Sequence, residues 1–371
     1  MINMRIKKLF LNEKITSNQI KVDAFYIKKQ ENLLYLLGLK IESDSLLLIP
    51  NVDFKNFSIP KFFVTELDYE LTHLKLKDLG ISDKLELVKI PKGNPDFVKK
   101  ELGKLKLRRL GFEDGFVSYN NYKELKEKFK DIKFEGISSI IQEARMSKDE
   151  DEIIKIKEAA RIGDIGLKAA IENTKVGITE LDLAAEAEYY MRKNGSSRVA
   201  FETIVASGER SWFPHGTSTS RKIKDGDIIT IDIGAVYDGY CSDMTRTFIH
   251  GKVSDEKAEI INFVNKAQQA VLDVIKAGEK CSEMDRIARD SFNEDGVAEY
   301  FIHGLGHGVG IDIHEDPYLN TTSKFVLKEN MVVTVEPGIY IPGKGGSRTE
   351  DLIVVKENGF ECLSKSEVKH Y

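Results

Sequence analysis

Hydrophobic and polar positions recur along this chain with two different periods, and the change from one to the other divides it. Up to about residue 135, short apolar-rich runs at 23–27 and 45–49 read as strands. They alternate with Lys/Glu-rich stretches such as 122–129 that read as helices. The pattern predicts a small α/β domain. Asp23 and the acidic pair Asp68 and Glu70 read as solvated surface, the usual place for isolated acids. From Ser147 onward the period lengthens. Ser147-Lys-Asp-Glu150 has the form of a capping box, with the serine capping a backbone N–H and the glutamate reaching back. Ile153, Ile156, Ala160 and Ile162 then predict a long amphipathic helix. The expected domains are therefore 1–135 and 136–371.

The second region repeats itself. Gly177-Ile-Thr-Glu-Leu-Asp-Leu leads into a helical pattern ending near Gly195, and Gly278-Glu-Lys-Cys-Ser-Glu-Met leads into another ending near Gly296, at the same interval. Further on, Thr230-Ile-Asp232-Ile-Gly234 matches Thr334-Val-Glu336-Pro-Gly338. A second carboxylate follows each, Asp243 and Glu350 respectively. Helix, strand and acid recurring in one order predict two related halves facing each other across a pseudo-two-fold axis.

Composition narrows the class. Of 371 residues, 41% are hydrophobic, enough for a buried core, and the net charge is −5 from 55 basic and 60 acidic side chains. A general nucleic-acid binder would carry a basic excess, so none is expected. No run approaches the ~18 apolar residues of a membrane span, and residues 1–14 lack an apolar run of signal-peptide length. Three cysteines, Cys241, Cys281 and Cys362, lie far apart and form no CxxC pair. This excludes a disulfide framework and a structural zinc set, and it points to the cytoplasm.

The acids carry the chemistry. Residues 228–233, Ile-Ile-Thr-Ile-Asp-Ile, are strongly β in composition and run toward Asp238-Gly239, the strongest short hairpin signal. With that pair as a two-residue loop, Asp232 and Asp243 become diagonal neighbours on one face of the ladder. Carboxylates at that spacing repel unless one is protonated or a cation lies between them. Glu336 and Glu350 stand in the same relation, although the Gly-rich turn between them leaves the register open. Asp232 and Glu336 lie inside apolar β-runs, where an unpaired carboxylate is costly to bury.

Seven histidines occur, and three fall within His303-Gly-Leu-Gly-His307-Gly-Val-Gly-Ile-Asp-Ile-His314. Alternating glycines argue against helix and suit a strand where other backbone or a ligand comes close. His215, in Phe213-Pro-His-Gly216, is a further candidate. Four carboxylates with one or two imidazoles suit Mn, Co, Fe or Zn. That charge fits two dications better than one, and paired ions activate water for hydrolysis.

The runs Asp232-Ile-Gly234, Tyr240-Cys-Ser-Asp243-Met-Thr-Arg-Thr247, His303-Gly-Leu-Gly-His307-Gly-Val-Gly, Glu336-Pro-Gly-Ile-Tyr340 and Ser347-Arg-Thr-Glu350-Asp resemble the pita-bread metallopeptidases. Within that family they are most similar to the Xaa-Pro dipeptidase (prolidase) and aminopeptidase P branch. The resemblance covers residues from about 150 to the end. More loosely, Asn32-Leu-Leu-Tyr-Leu-Leu-Gly38 is similar to a run in the family's N-terminal domain. It implies an α+β chain, with a C-terminal pita-bread fold of pseudo-two-fold symmetry preceded by a smaller creatinase-like α/β domain.

The resemblance also implies roles. Asp232 chelates one metal, His307 and Glu336 bind the other, and Asp243 and Glu350 bridge both. Glu336 doubles as general base. His215 and His314 contact substrate and stabilise the tetrahedral intermediate, His303 shapes the pocket after the scissile bond, and Arg348 supports the ligands. The expected cofactors are two divalent ions, Mn or Co before Zn or Fe, and the expected assembly is a homodimer. The implied activity is hydrolysis of the Xaa-Pro bond of dipeptides. The alternatives are release of the N-terminal residue from longer Xaa-Pro peptides, or a non-catalytic binding protein on the same fold.

Overall fold

The computed structural model describes residues 2–17, 19–94, 96–369 and 371. The chain divides into two compact units, Met1–Arg145 and Met146–Tyr371. The division falls after the boundary expected at 135, because the Ser138–Met146 helix packs with the first unit, where Tyr35 Oη donates to the Ala144 carbonyl at 2.9 Å.

The first unit is built on one six-stranded sheet in the order Glu86–Ile90, Lys61–Thr65, Ser45–Pro50, Ala24–Ile27, Arg109–Phe112, Lys133–Gly136. Its outer pairings are parallel and its two central ones antiparallel. Asp23 is structural: its Oδ2 accepts the backbone N–H groups of Arg108 and Arg109 at 2.6 and 2.9 Å. The 32–38 run is the Gln30–Leu37 helix, ended by Gly38 at φ 76°. Asn32 inside it donates to buried Glu113 at 2.6 Å and accepts from Arg145 at 2.8 Å.

The second unit opens with the Glu150–Glu172 helix, which buries Ile153, Ile156, Ala160 and Ile162 as the periodicity predicts. Its capping box is shifted from the expected Ser147–Glu150. Asp149 is the N-cap and Glu152 reaches back to it. Asp149-Glu-Asp-Glu152 fits the same template. Ser147 is held elsewhere, bridged to Met331 and donating to the Glu329 carbonyl at 2.8 Å.

The repeat is realised element by element. Helices Glu150–Glu172 and Glu180–Lys193 correspond to Asp255–Leu272 and Cys281–Glu294. The Gly177 N–H donates to the Ile223 carbonyl at 2.9 Å, and the Gly278 N–H to the Leu327 carbonyl at 2.8 Å. Bridges Thr179↔Lys222 and Lys280↔Val326 match as well. The three-stranded sheet Met244–His250, Asp227–Ile233, Ile204–Ser207 corresponds to Asp351–Lys356, Val332–Val335, Gly306–Gly308 of the five-stranded sheet. Each half packs its helices on its own sheet over a separate apolar core.

The alternating glycines serve close packing. A Cβ on Gly306 would lie 2.2 Å from the Thr334 carbonyl oxygen, and one on Gly308 would lie 2.5 Å from that of Asp316. Neither neighbour is a flexible side chain, so the strands must separate to admit a methyl. Gly308→Ala is expected to destabilise this unit by about 1–3 kcal/mol. The check is a urea titration of the metal-free protein followed by Trp212, the chain's single tryptophan, which lies within the second unit. An unchanged midpoint would contradict the packing argument.

Candidate metal centre

The first carboxylate pair is set by a hairpin. Its loop residues Asp238 and Gly239 both have positive φ, 46° and 84°, the type I′ geometry that Asp-Gly favours. The ladder stays in register from Tyr237↔Tyr240 to Met244↔Ile233 and places Thr245 opposite Asp232. Asp232 and Asp243 are therefore diagonal, as the turn chemistry predicts. In the second half Val335 pairs with Asp351 and Gly338 with Arg348, so the shared register sets Glu336 across from Glu350. One bridge, Thr245↔Glu350, joins the halves, with the Glu350 N–H donating to the Thr245 carbonyl at 3.1 Å. Asp232, Thr245, Glu350 and Glu336 form a transverse row across the seam.

His307 faces this row from the Gly306–Gly308 strand. Its Nε2 is 3.5 Å from Asp243 Oδ2 and 3.3 Å from Glu336 Oε1. Its Nδ1 lies 3.0 Å from the Gly308 carbonyl. Donation there fixes the tautomer that leaves Nε2 as the ligand atom. Among the described residues, ligand atoms of Asp243, His307 and Glu350 all fall within 4.8 Å of one another.

Three of the four acids are steadied from behind. Thr245 Oγ1 donates to Glu350 Oε2 at 2.7 Å, and Thr334 Oγ1 to Glu336 Oε1 at 3.0 Å. Arg348 Nη2 contacts Asp232 Oδ2 at 2.5 Å. The rest of that guanidinium is committed to Tyr340 Oη at 2.7 Å, Thr245 Oγ1 at 3.1 Å and the Pro214 carbonyl at 3.2 Å. Arg348 thus braces the row through four of its five N–H donors. Tyr340 Oη also lies 3.0 Å from His303 Nε2, whose ring is turned by a 2.7 Å contact of Nδ1 with the Gly304 carbonyl.

The electrostatics record the crowding. Burial lifts Asp243 and Glu350 well above the usual carboxylate range, and the neighbouring acids lift them further. Burial also raises Asp232, although Arg348 works against it. Glu336 is the exception. Its burial opposes ionisation, yet the hydrogen bond and charge of His307 draw it down to about 2. His307 is raised in turn, since Glu336 outweighs the effect of its own burial. His303 and His314 are lowered, chiefly by burial, and stay neutral more readily.

A metal fits this donor set. Asp232 Oδ1 is buried with no hydrogen-bond partner. Among the described residues, the cationic side chains that meet these four carboxylates are Arg348 and His307, while three of the acids are buried and Glu336 is partly buried. Hard oxygen donors and one imidazole facing a common space are the ligands of a borderline divalent ion.

All nine sequence-predicted residues, His215, Asp232, Asp243, His303, His307, His314, Glu336, Arg348 and Glu350, line one cavity of about 610 Å³. Phe201, Ile204, Ile302, Tyr318 and Tyr340 supply its apolar wall. A second cavity of about 740 Å³, lined by residues such as Lys157, Asp164 and Lys365, contains none of them.

Several contributors escape a reading based on acids and imidazoles. Thr245 and Thr334 hold the carboxylates, and Tyr340 links Arg348 to His303. Two buried acids fasten the histidine loops. Glu180 accepts from Ser207, Arg210 and Thr219, which flank His215. Asp285 accepts the Leu305 N–H at 3.0 Å and pairs with Arg289, which donates to the His303 carbonyl at 2.6 Å. Thr245 was discoverable, since it shares a ladder face with Asp232. Nothing in sequence spacing marks Glu180 or Asp285.

Known proteins resemble this chain in sequence and fold. Residues 154–357 match metallopeptidase family M24, and residues 11–147 match the creatinase/prolidase N-terminal domain. The chain is 38% identical over 346 residues to the Xaa-Pro dipeptidase of Pyrococcus furiosus, covering 93% of this chain and 94% of that one. It is 37% identical over 366 residues to the Xaa-Pro dipeptidase of Pyrococcus horikoshii, covering 99% and 98%. The structure of an Xaa-Pro dipeptidase from Bacillus anthracis superposes with a TM-score of 0.90 at 34% identity, covering 100% of this chain and 99% of that chain.

A proton prediction follows from the raised carboxylates. A group raised in the fold adds stability below its unfolded value, near ~4 for an acid, and loses it as pH rises through the folded value. Metal-free protein should therefore hold protons on Asp243 and Glu350 above pH ~4, and on His307 above its usual range. Loading with Mn²⁺ at pH 6 should release about one proton or more per chain. Titration calorimetry in two buffers of different ionisation heat measures this. Zero release would show the ligand groups already ionised.

Proposed function

The chain belongs to metallopeptidase family M24, and from that premise we propose that it is a metal-dependent Xaa-Pro dipeptidase with a dinuclear centre. The observation that carries the reading is the buried row of acids facing His307, with Asp232 Oδ1 left unpaired. In this reading Asp232 would hold one divalent ion, His307 and Glu336 would hold the other, and Asp243 and Glu350 would serve both. Mn and Co are the leading candidates, with Zn and Fe as alternatives. The bound ions supply Lewis acidity and a nucleophile ionised near neutrality.

The chain's own groups do the rest. Glu336 takes the proton of the attacking water and passes it toward the leaving nitrogen. It is depressed by protonated His307, so a neutral His307 leaves it the stronger base. His215 and His314, on the cavity wall, donate to the oxygen of the attacked carbonyl. Phe201, Ile302 and Tyr318 keep water from the apolar part of the substrate. The proline nitrogen has no N–H to satisfy, so an apolar wall there accepts the ring without a polar cost. Arg348 holds Asp232 and Tyr340 in place. Homodimerisation, carried by the resemblance, and a cytoplasmic location, carried by the three free cysteines, complete the proposal.

Two measurements test it. Metal-loaded protein should hydrolyse Ala-Pro faster than it releases alanine from Ala-Pro-Ala-Ala. The reverse order would favour an Xaa-Pro aminopeptidase, and no cleavage of either would favour a binding protein on this fold. Asp243→Ala and Glu350→Ala should each lose at least ~10³-fold in kcat/KM together with one or both metal equivalents, read by elemental analysis. Full activity with two ions still bound would reject the bridging roles.

A further inference from the structure

Arg246 lies beside the row of acids and has no part in the chemistry above. It is 3% exposed, and all five of its N–H donors are used. Nη1 donates to the carbonyls of Glu350 at 2.5 Å and Thr245 at 3.0 Å. Nη2 donates to Asp351 Oδ1 at 2.6 Å and to the Ser366 carbonyl at 2.8 Å. Nε donates to the same Ser366 carbonyl at 3.0 Å. One guanidinium therefore joins three stretches of chain: its own strand, the 350–351 backbone and the C-terminal segment.

The C-terminal segment is tied down in its turn. Asp164, on the Glu150–Glu172 helix, accepts the Ser366 N–H and hydroxyl at 2.7 Å each and the Lys365 N–H at 3.0 Å. Ser364 Oγ accepts the Leu352 N–H at 3.0 Å, two residues beyond Glu350. A continuous set of hydrogen bonds thus runs from Asp164 through Ser366 and Arg246 to the backbone of Glu350 and of Thr245. Thr245 is the residue whose hydroxyl holds the Glu350 carboxylate.

A buried guanidinium is costly unless every donor is satisfied. Here two donors depend on a carbonyl close to the chain's end. Losing that carbonyl would strand them beside Glu350, and the local remedy is for Arg246 to shift and carry the 350 backbone with it. We propose that Arg246 is a positioning residue that makes the C-terminal segment part of the metal centre, so that Asp164 helps set the affinity for metal. This rests on the dinuclear reading of Asp243 and Glu350.

The test uses the full chain stripped of metal and titrated with Mn²⁺ by calorimetry, for wild type, Asp164→Ala, Arg246→Lys and the double variant. Asp164 touches none of the row, so its replacement reaches Glu350 through the 364–366 segment, chiefly by way of Ser366 and Arg246. Groups that orient metal ligands are worth ~10–100-fold in affinity. Asp164→Ala, further removed, should weaken binding by about three- to tenfold. Arg246→Lys should weaken it more, and the double variant should match Arg246→Lys alone, because the effects share one route. Saturating Mn²⁺ should restore the kcat of Asp164→Ala, which a general loss of folded protein would not allow.

Wild-type affinity in Asp164→Ala would overturn the inference, as would additive losses in the double variant. Either result bears on Arg246 only in a wild-type chain that binds two ions. A wild-type chain that binds none would sink the functional reading itself, and this inference with it.

Discussion

Four carboxylates packed at a seam between two sheets are the constraint around which the second unit is arranged. Bringing acids together out of water costs several kcal/mol per ion unless opposite charge or protons accompany them. Arg348 and His307 supply two positive charges for four potential negative ones, so the site without metal keeps protons. The raised Asp243 and Glu350 express that deficit, and Asp232, paired with Arg348 through Oδ2, still has a buried Oδ1 without a partner. Divalent ions remove it outright. The binding of metal is then the discharge of a strain that the fold imposes on itself.

The duplicated halves explain how one chain meets such a cost. Each half has its own apolar core, built from two helices and a sheet, so neither relies on the polar seam for stability. At the acids the two ladders are joined by the Thr245–Glu350 bridge and by side-chain links such as Arg348 to Asp232 and Thr245 Oγ1 to Glu350. The seam can therefore be tuned to chemistry while the cores hold the strands. The glycines of the Gly306–Gly308 strand serve the same end: by letting backbone approach backbone, they bring His307 up to Asp243 and Glu336.

Much of this was legible in the sequence, for physical reasons. The Asp238-Gly239 turn fixes a register because both residues accept positive φ, and register decides which acids share a face. Apolar runs around Asp232 and Glu336 announce burial, since successive strand residues face opposite sides and a run apolar on both is covered on both. The repeat was visible because matching halves need matching turns, and glycines mark turns. Less was legible where several side chains compete for one role. Ser147 and Asp149 both satisfy a capping template, and the choice went to Asp149 because Met331 and Glu329 engage Ser147. Thr245, Thr334 and Tyr340 act through contacts between distant segments, and no local pattern records such contacts.

Buried acids far from the row sharpen the distinction between structure and chemistry. Glu113 in the first unit accepts from Lys28, Lys29 and Asn32. Glu180 accepts five hydrogen bonds from Ser207, Arg210 and Thr219. Asp285 is held by Arg289 and the Leu305 N–H. Each has donors on both sides and nothing left to bind, so each organises a loop. The acids of the row are treated differently. The threonines and Arg348 occupy one side of Asp232, Glu336 and Glu350, and the other side is turned toward His307 and the cavity. Burial alone does not separate the two groups, and neither does residue type. What separates them is whether the protein completes the coordination of each oxygen or leaves that to something it binds.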